Sequence, residues 1–173
     1  MKKNIYLMIL LLLVSFTGCR QDAATAGTDT TDMPPEAFMR ISGTGLVTPK
    51  GQKFFIQGTN LGNWLNPEGY MFGFSKTNSP GRINQMLCEM VGPDFTAEFW
   101  KAFKDNYITR DDVRFIAGTG ANTIRLPFHY KLFTDEDYMG LTSNQDGFAR
   151  IDSVVSWCRE TGLYLILDMH DAP

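Results

Sequence analysis

From Phe38 onward the spacing of apolar residues alternates between the periods of strands and helices. The pattern predicts a short hairpin, residues 40–47 with 51–55, around the turn residues of 48–51. It then predicts a first core strand over 54–60. The next stretch, 61–93, is rich in Gly, Asn and Pro and predicts a long loop, which in compact domains is usually functional.

The second half of the chain predicts alternating helices and strands. The predicted elements are a helix over 94–104, a helix capped by Thr109 and ended by Gly118–Gly120, a strand over 122–127, a helix carrying Phe148, Ile151, Val154, Val155 and Cys158 up to Gly162, and a strand over 164–167. This βαβαβ order predicts an α/β fold with a parallel sheet and right-handed crossovers. Three strands leave open whether the sheet closes, although 58–62 lacks the Gly spacing of a dinucleotide-binding turn.

The last ten residues combine a short apolar run with polar side chains. The run 164–167 lies between Gly162 and Pro173 and predicts a buried core strand of a parallel sheet. His170 follows at its carboxyl end, where such folds handle ligands. We therefore expect the 173 residues to be the amino-terminal portion of an enzyme.

The first 37 residues have the pattern of an export signal followed by a linker, and not that of a folded domain. Lys2 and Lys3 precede an apolar run over 5–14, which is half the length of a membrane-spanning helix. Gly18 and Cys19 then resemble a bacterial lipoprotein box, although Phe16 replaces the usual Leu. We expect a signal peptide over 1–18, a lipidated Cys19 that holds the protein in the cell envelope, and a flexible tether over 19–37. The alternative is a plain secretory signal in which Cys19 is incidental.

The charge and the cysteine and histidine content of the chain argue against some classes of function. The chain is 43% hydrophobic and 20% charged with a formal charge of −3, which argues against a nucleic-acid partner. Cys88 and Cys158 would be able to form a disulfide in an exported protein, but Cys158 falls on an apolar helix stripe where a free Cys is typical. No His and Cys residues have zinc-site spacing, and we expect neither a metal nor a cofactor.

Three polar residues are candidates for a site at the ends of the second and third strands. Arg125 faces away from the helix layer and needs a carboxylate partner, either in a site or in a structural ion pair with Asp168. His170 shares a face with Asp168, and the alternative is a satisfied core His. His129 follows the second strand and either lines the site or is a loop residue on its rim.

Three segments in order, 59–65 (TNLGNWL), 108–127 (ITRDDVRFIAGTGANTIRLP) and 167–173 (LDMHDAP), closely resemble glycoside hydrolase family 5, the cellulase family. The likeness is greatest to its exo-1,3-β-glucanase-type members and covers about residues 38–173. It implies an α/β fold, namely the amino-terminal part, about three βα units, of a (β/α)8 barrel that takes about 250 residues when complete. It also implies hydrolysis of β-glycosidic bonds with retention, carried out by two glutamates about 5–5.5 Å apart.

The resemblance also implies roles for individual residues. Arg125 matches the Arg that holds the nucleophile, and His170 matches the His that hydrogen-bonds the sugar next to the cleaved bond. Glu68 resembles a Glu that binds sugar hydroxyls, with a solvated loop charge as the alternative. Trp64 is a candidate for stacking on a sugar ring, with a place in the core as the alternative.

The two glutamates of the resemblance, after strands four and seven, have no counterpart in the 173 residues. We therefore expect no catalytic carboxylate pair within this chain, no hydrolysis by the chain alone and low stability in isolation. Three hypotheses follow. They are a truncated retaining glycosidase acting on β-linked polysaccharides or oligosaccharides, a surface-tethered sugar-binding lipoprotein without catalysis, and a structural lipoprotein with an α/β core.

Overall fold

The computed structural model describes residues 38–140 and 144–171, so the predicted signal peptide, Cys19 and the tether lie outside the described residues. The chain divides into two compact units, Met1–Lys53 and Phe54–Pro173. In the first unit, strands β1 (Arg40–Ser42) and β2 (Gly45–Val47) pair antiparallel. A turn with Gly43 at φ +61° separates them, so the prediction of one continuous strand over 40–47 was wrong.

The predicted turn at 48–51 is present, because the Gly51 N–H donates to the Thr48 carbonyl at 2.9 Å. Strand β3 (Lys53–Phe54) follows it.

The second unit holds a parallel sheet with the strand order β4-β5-β6. Its strands are β4 (Gly58–Asn60), β5 (Thr123–His129) and β6 (Tyr164–Asp171). Its helices are α1 (Pro80–Val91), α2 (Pro93–Asn106), α3 (Arg110–Gly118) and α4 (Asn144–Thr161), with short 3-10 helices at Gly69–Phe72 and Tyr130–Phe133. The parallel β-α-β-α-β order confirms the α/β prediction, and closure into a barrel stays a prediction.

Three predicted helices are present, and one helix was missed. Helix α2 covers the predicted 94–104, and α4 covers the apolar stripe that ends before Gly162. Helix α3 begins after Thr109, whose backbone N–H donates to the Asp112 carboxylate at 2.7 Å. Helix α1 lies inside the segment predicted as a loop. Its start has Ser79 at the N-cap and Pro80 in the first turn, which is a recognisable helix signal.

The core lies between the sheet and helices α3 and α4. Ile124, Leu126 and Phe128 of β5 alternate toward it, as the strand pattern predicts. The cluster also contains buried residues of both helices, of the segment after β4, of the 3-10 helix after β5 and of the turn before β6: Leu61, Trp64, Leu65, Val113, Leu132, Ile151, Val154, Cys158 and Leu163.

Strand β6 is less buried than predicted. Leu165 packs against the core, but Ile166, Leu167 and Met169 are 40%, 49% and 53% exposed. Within the part of the chain that the structure describes, β6 pairs with β5 on one side only. The prediction of a fully buried strand was therefore wrong, because burial depends on neighbours that the strand's own residues do not reveal.

Strand β4 is shorter than the predicted 54–60. Phe55 and Ile56 are 77% and 53% exposed, and the ladder to β5 runs only from Gly58 to Asn60. Gly58 is packed so closely that a Cβ there would lie 1.9 Å from the Thr123 carbonyl oxygen. Only glycine fits this point of the sheet.

Both described cysteines are free, Cys88 half-buried and Cys158 buried. This agrees with the free Cys158 that the apolar helix stripe favours, and not with the alternative of a Cys88–Cys158 disulfide. Burial raises the pKa of the Cys158 thiol to about 11, which is the behaviour of a small core residue.

Candidate functional site

Arg125, Asp168 and His170 meet on one face of neighbouring strands. Arg125 lies on β5 opposite Ile166, and Asp168 and His170 follow on β6 at two-residue spacing. The Arg125 Nη2 forms an ion pair with Asp168 Oδ2 and lies 2.9 Å from His170 Nδ1. The His170 Nδ1 is 3.1 Å from the same carboxylate oxygen. The three groups therefore form one contact triangle, called here the Arg125 cluster.

The Arg125 cluster is anchored on one side and accessible on the other. Asn60 of β4 pairs in register with Arg125, and its Oδ1 lies 3.4 Å from Nη1. The side chains of Arg125, Asp168 and His170 are 32%, 29% and 41% exposed. The Arg125–Asp168 ion pair, which the sequence predicts as a structural alternative to a site role, is thus present. The partial exposure of all three side chains leaves the cluster accessible to a ligand as well.

His129 lies at the carboxyl end of β5, opposite Asp171, after a shift in register at Phe128 and His129. Its ring lies between the rings of Tyr130 and Tyr138, with centroid distances of 4.7 and 4.6 Å. Its Nδ1 accepts a hydrogen bond from the Lys131 N–H at 3.1 Å. Burial lowers the pKa of His129, although the charge of Asp171 partly opposes this. The neutral ring therefore carries its hydrogen on Nε2.

A polar cluster that the sequence did not predict adjoins His129; it comprises the buried Asn66 and Tyr138 and the exposed Asp171, and is called here the Asn66 cluster. The Asn66 Nδ2 donates to Asp171 Oδ2 at 2.8 Å, and the Tyr138 hydroxyl donates to Asn66 Oδ1 at 3.2 Å. Asn66 is fully buried and Tyr138 is 2% exposed. Burial, with a smaller contribution from the Asp171 charge, raises the pKa of the Tyr138 hydroxyl, which stays protonated and donates. The apolar residues of 61–65 beside Asn66 are a local signal for a buried amide, but they do not identify its partners.

Glu68 and Trp64 occupy different environments. Glu68 is half-buried before the 3-10 helix, and its backbone N–H donates to Asn63 Oδ1 at 2.9 Å. Asn63 has φ +62°, a left-handed conformation that Asn tolerates. Trp64 is 2% exposed, and its Nε1 donates to the Lys104 carbonyl at 2.9 Å. The structure favours the core alternative for Trp64, since neither ring face is free for a sugar, and sugar binding by Glu68 stays a prediction.

Two cavities lie among the helices and not at the Arg125 cluster. A cavity of about 570 Å³ is lined by Leu87, Val91, Phe95, Thr96 and Phe99 of α1 and α2. Another, of about 320 Å³, is lined by residues that include Trp64, Lys104 and Arg150. Lys104 is 4% exposed, and burial lowers its pKa although Asp146 lies 3.6 Å away. The first cavity has no titratable lining, and the second is bordered by ion pairs that join α2 to α4.

Within residues 38–140 and 144–171, no group of three or more His, Cys, Asp or Glu side chains is arranged to hold a metal ion. Across the same residues, no helix is both long and apolar enough to cross a membrane.

The chain is similar to a protein family model and to several named proteins. Residues 77–173 match the model of Cellulase (glycosyl hydrolase family 5). A "Beta-xylosidase" of Phanerodontia chrysosporium is 34% identical over 79% of this chain and 28% of its own length. "Endoglucanase C" of Acetivibrio thermocellus is 40% identical over 43% of this chain and 22% of its own length. A "Probable glucan 1,3-beta-glucosidase A" of Aspergillus clavatus is 32% identical over 70% of this chain and 29% of its own length.

A solved structure supports the fold. The rutinosidase from Aspergillus niger matches 69% of this chain and 34% of its own chain with a TM-score of 0.52 and 24% identity. The chain spans about a third or less of the length of the proteins that it matches.

Proposed function

Because this chain belongs to glycosyl hydrolase family 5, we propose that it supplies part of the sugar-binding site of a glycosidase that cleaves β-glycosidic bonds of glucan-type polysaccharides or oligosaccharides. The observation that carries the proposal is the Arg125 cluster, which lies on the parallel strands β5 and β6 toward their carboxyl ends, with His170 41% exposed. Ligands of α/β barrel enzymes bind at that end of the strands.

Arg125 has the geometry to orient a second carboxylate besides Asp168. A guanidinium has five N–H donors in a rigid fork, and its Nη1 makes only a long contact of 3.4 Å with Asn60. A nucleophilic glutamate of a retaining glycosidase must stay ionised to attack the sugar. A neighbouring guanidinium favours that ionised form. We assign this role to Arg125, in line with the resemblance.

His170 supplies a sugar contact in this proposal. Sugar hydroxyls accept and donate hydrogen bonds, and an imidazole edge open to solvent meets that need. Glu68 and His129 are proposed as further contacts to hydroxyl groups. Both are half-buried polar side chains, Glu68 in the segment after β4 and His129 at the end of β5.

The proposed substrate class rests on what several of the relatives' names share, whereas one relative is named "Beta-xylosidase". Their printed names include a 1,3-β-glucosidase, endo-1,6-β-glucosidases and endoglucanases, all acting on glucans. For this chain we propose only that the substrate is a β-linked glucan. Retaining hydrolysis needs two carboxylates, and the resemblance assigns none to these 173 residues. We therefore propose that the chain alone binds such a sugar without hydrolysing it.

We further propose that the protein is exported and attached to the bacterial cell envelope by a lipid on Cys19. The support is the sequence of the leader: two lysines, a short apolar run, and Gly18 before Cys19. A tether over 19–37 would let the folded part reach polysaccharide at a distance from the membrane.

The test is calorimetric titration of the 173-residue chain with β-1,3-, β-1,4- and β-1,6-linked glucose trisaccharides, together with a reducing-sugar assay. We expect at least one trisaccharide to bind without release of reducing ends. Arg125→Ala and His170→Ala should each weaken binding about tenfold or more, the scale of a lost charge-assisted hydrogen bond. The control Asp152→Asn lies on an exposed position of α4 and should bind as the unmodified chain does.

A folded chain that binds none of the three trisaccharides would overturn the proposal. Binding that survives both Arg125→Ala and His170→Ala would show that another surface takes the sugar. If the full product of the native gene binds but never hydrolyses these sugars, the function is carbohydrate binding at the cell envelope and not catalysis.

A further inference from the structure

We propose that Asp168 is a positioning residue that fixes the hydrogen-bonding role of His170 through the guanidinium of Arg125. The inference rests on the proposed function, because it names the group that prepares His170 for a sugar. The starting observation is that one nitrogen, Arg125 Nη2, contacts both Asp168 Oδ2 and His170 Nδ1.

The proton count within the Arg125 cluster selects one tautomer. A guanidinium NH₂ group has two hydrogens and never accepts. The 2.9 Å contact between Arg125 Nη2 and His170 Nδ1 is therefore a hydrogen bond only if Nδ1 accepts. The other Nη2 hydrogen goes to Asp168 Oδ2. With Nδ1 unprotonated, the neutral His170 ring carries its hydrogen on Nε2.

The competing arrangement is a direct bond from His170 Nδ1–H to Asp168, at 3.1 Å. It would leave two N–H donors, Nδ1 and Nη2, facing each other at 2.9 Å, and that contact is repulsive. Asp168 Oδ2 already accepts from a cation, which is the stronger partner. The geometry therefore favours Arg125, and not Asp168, as the direct partner of Nδ1.

Asp168 is nevertheless the residue that makes this arrangement persist. Arg125 has a long flexible side chain, and its contact to Asn60 on the β4 side is long at 3.4 Å. The ion pair to Asp168 is thus its principal anchor among the described contacts. With the side chain held there, the His170 ring presents an Nε2–H donor to a sugar oxygen, and its 41% exposure leaves it reachable.

The experiment is two-dimensional ¹H–¹⁵N spectroscopy of the imidazole rings in the 173-residue chain at about pH 9, where histidines are neutral. The chain contains two histidines, so His129→Gln assigns the His170 signals. The nitrogen shifts report which ring nitrogen carries the hydrogen. Spectra are compared for the unmodified chain, Asp168→Asn, and Asp171→Asn as the matched control on the same strand.

We expect His170 to be in the Nε2–H form in the unmodified chain and in Asp171→Asn. Asp168→Asn should lower the ratio of Nε2–H to Nδ1–H about tenfold, because the guanidinium loses its anchor. If Asp168→Asn does not fold, Arg125→Lys gives a second test, since the ammonium keeps the charge for Asp168 but loses the fork. We expect the same loss of tautomer preference there.

An Nδ1–H form of His170 in the unmodified chain would overturn the inference without any variant, and so would an unchanged ratio in Asp168→Asn. The ring spectra need no sugar, so they separate this inference from the proposed function. A selected Nε2–H form together with no response to any β-linked trisaccharide would retain the role of Asp168 and reject sugar binding. The reverse result, sugar binding with an unselected tautomer, would reject only the role of Asp168.

Discussion

The side-chain amide of Asn66 donates a hydrogen bond of 2.8 Å to the carboxylate of Asp171, joining positions 105 residues apart. The carbonyl oxygen of the same amide accepts from the Tyr138 hydroxyl. Asn66 therefore connects the segment after β4 to the carboxyl end of β6 and to the segment before α4. A buried group with both ends satisfied specifies one arrangement of these three parts.

Asn66→Ala should lower the free energy of unfolding by about 1–3 kcal/mol, because the buried Tyr138 hydroxyl and Asp171 each lose a partner. Urea unfolding followed by tryptophan fluorescence measures this. The control is Asn106→Ala at an exposed end of α2, where the amide donates to the Ala102 carbonyl of the same helix, and a change within about 0.5 kcal/mol is expected. Equal effects of the two substitutions would contradict the role assigned to Asn66.

Trp64→Phe should lower the free energy of unfolding by about 1–2 kcal/mol and leave sugar binding unchanged. The ring loses volume in the core and its hydrogen bond to the Lys104 carbonyl, which retains a second donor from Arg150. Urea unfolding and trisaccharide titration are the two measurements. Weaker sugar binding at unchanged stability would instead place Trp64 in the binding site.

Cys158 should react with thiol reagents far more slowly than Cys88 in the folded chain. Burial raises the pKa of Cys158 to about 11, so little of the reactive thiolate exists at pH 8. Mass spectrometry after timed alkylation separates the two sites, with Cys158→Ala removing the slow one. Equally fast labelling of both sites in the folded chain would show that α4 opens readily from the core.

His129 should make the free energy of unfolding fall as the pH becomes acidic. Burial lowers its folded-state pKa below the ordinary value of 6.5, so the unfolded chain takes up the proton more readily. The stability that neutral His129 contributes is therefore present above about pH 6.5 and is lost as the pH falls below it. Urea midpoints from pH 8 to 5 should fall less steeply in His129→Gln than in the unmodified chain, and parallel slopes would contradict this.

Cys19 should carry the lipid in a bacterial host. Growth with an alkyne fatty acid, followed by gel detection, should label the unmodified protein, and Cys19→Ser should remove the label and release the protein from membranes. Cys88→Ser serves as the control with an unchanged label. Labelling that persists in Cys19→Ser would reject the lipoprotein assignment.

The elements predicted best are those with local signals. Thr109 and the Gly118–Gly120 stop define α3, and the stripe through Ile151 and Cys158 defines α4. Helix α1 was missed because the Gly and Pro content of 61–93 outweighed the start signal at Ser79 and Pro80. The exposure of β6 was not predictable, since Ile166 and Leu167 are apolar whether or not another element covers them.

The Arg125 cluster was partly predictable, because alternation along a strand places Asp168 and His170 on one face. Their meeting with Arg125 depends on the register between β5 and β6, which the sequence does not state. The Asn66 cluster was not predictable for a related reason. Its members are 72 and 105 positions from Asn66, and no local pattern marks them as partners.

The two-residue spacing of Asp168 and His170 determines what a wrong register between β5 and β6 would do to the Arg125 cluster. Because both side chains lie on the same face, a slip of β6 by a single residue would carry them together to the opposite face and leave Arg125 without its ion pair. The same slip would bring Leu167 and Met169 beneath the guanidinium. Misregistered chains would thus lose the contacts of Asp168 and His170 to Arg125 together.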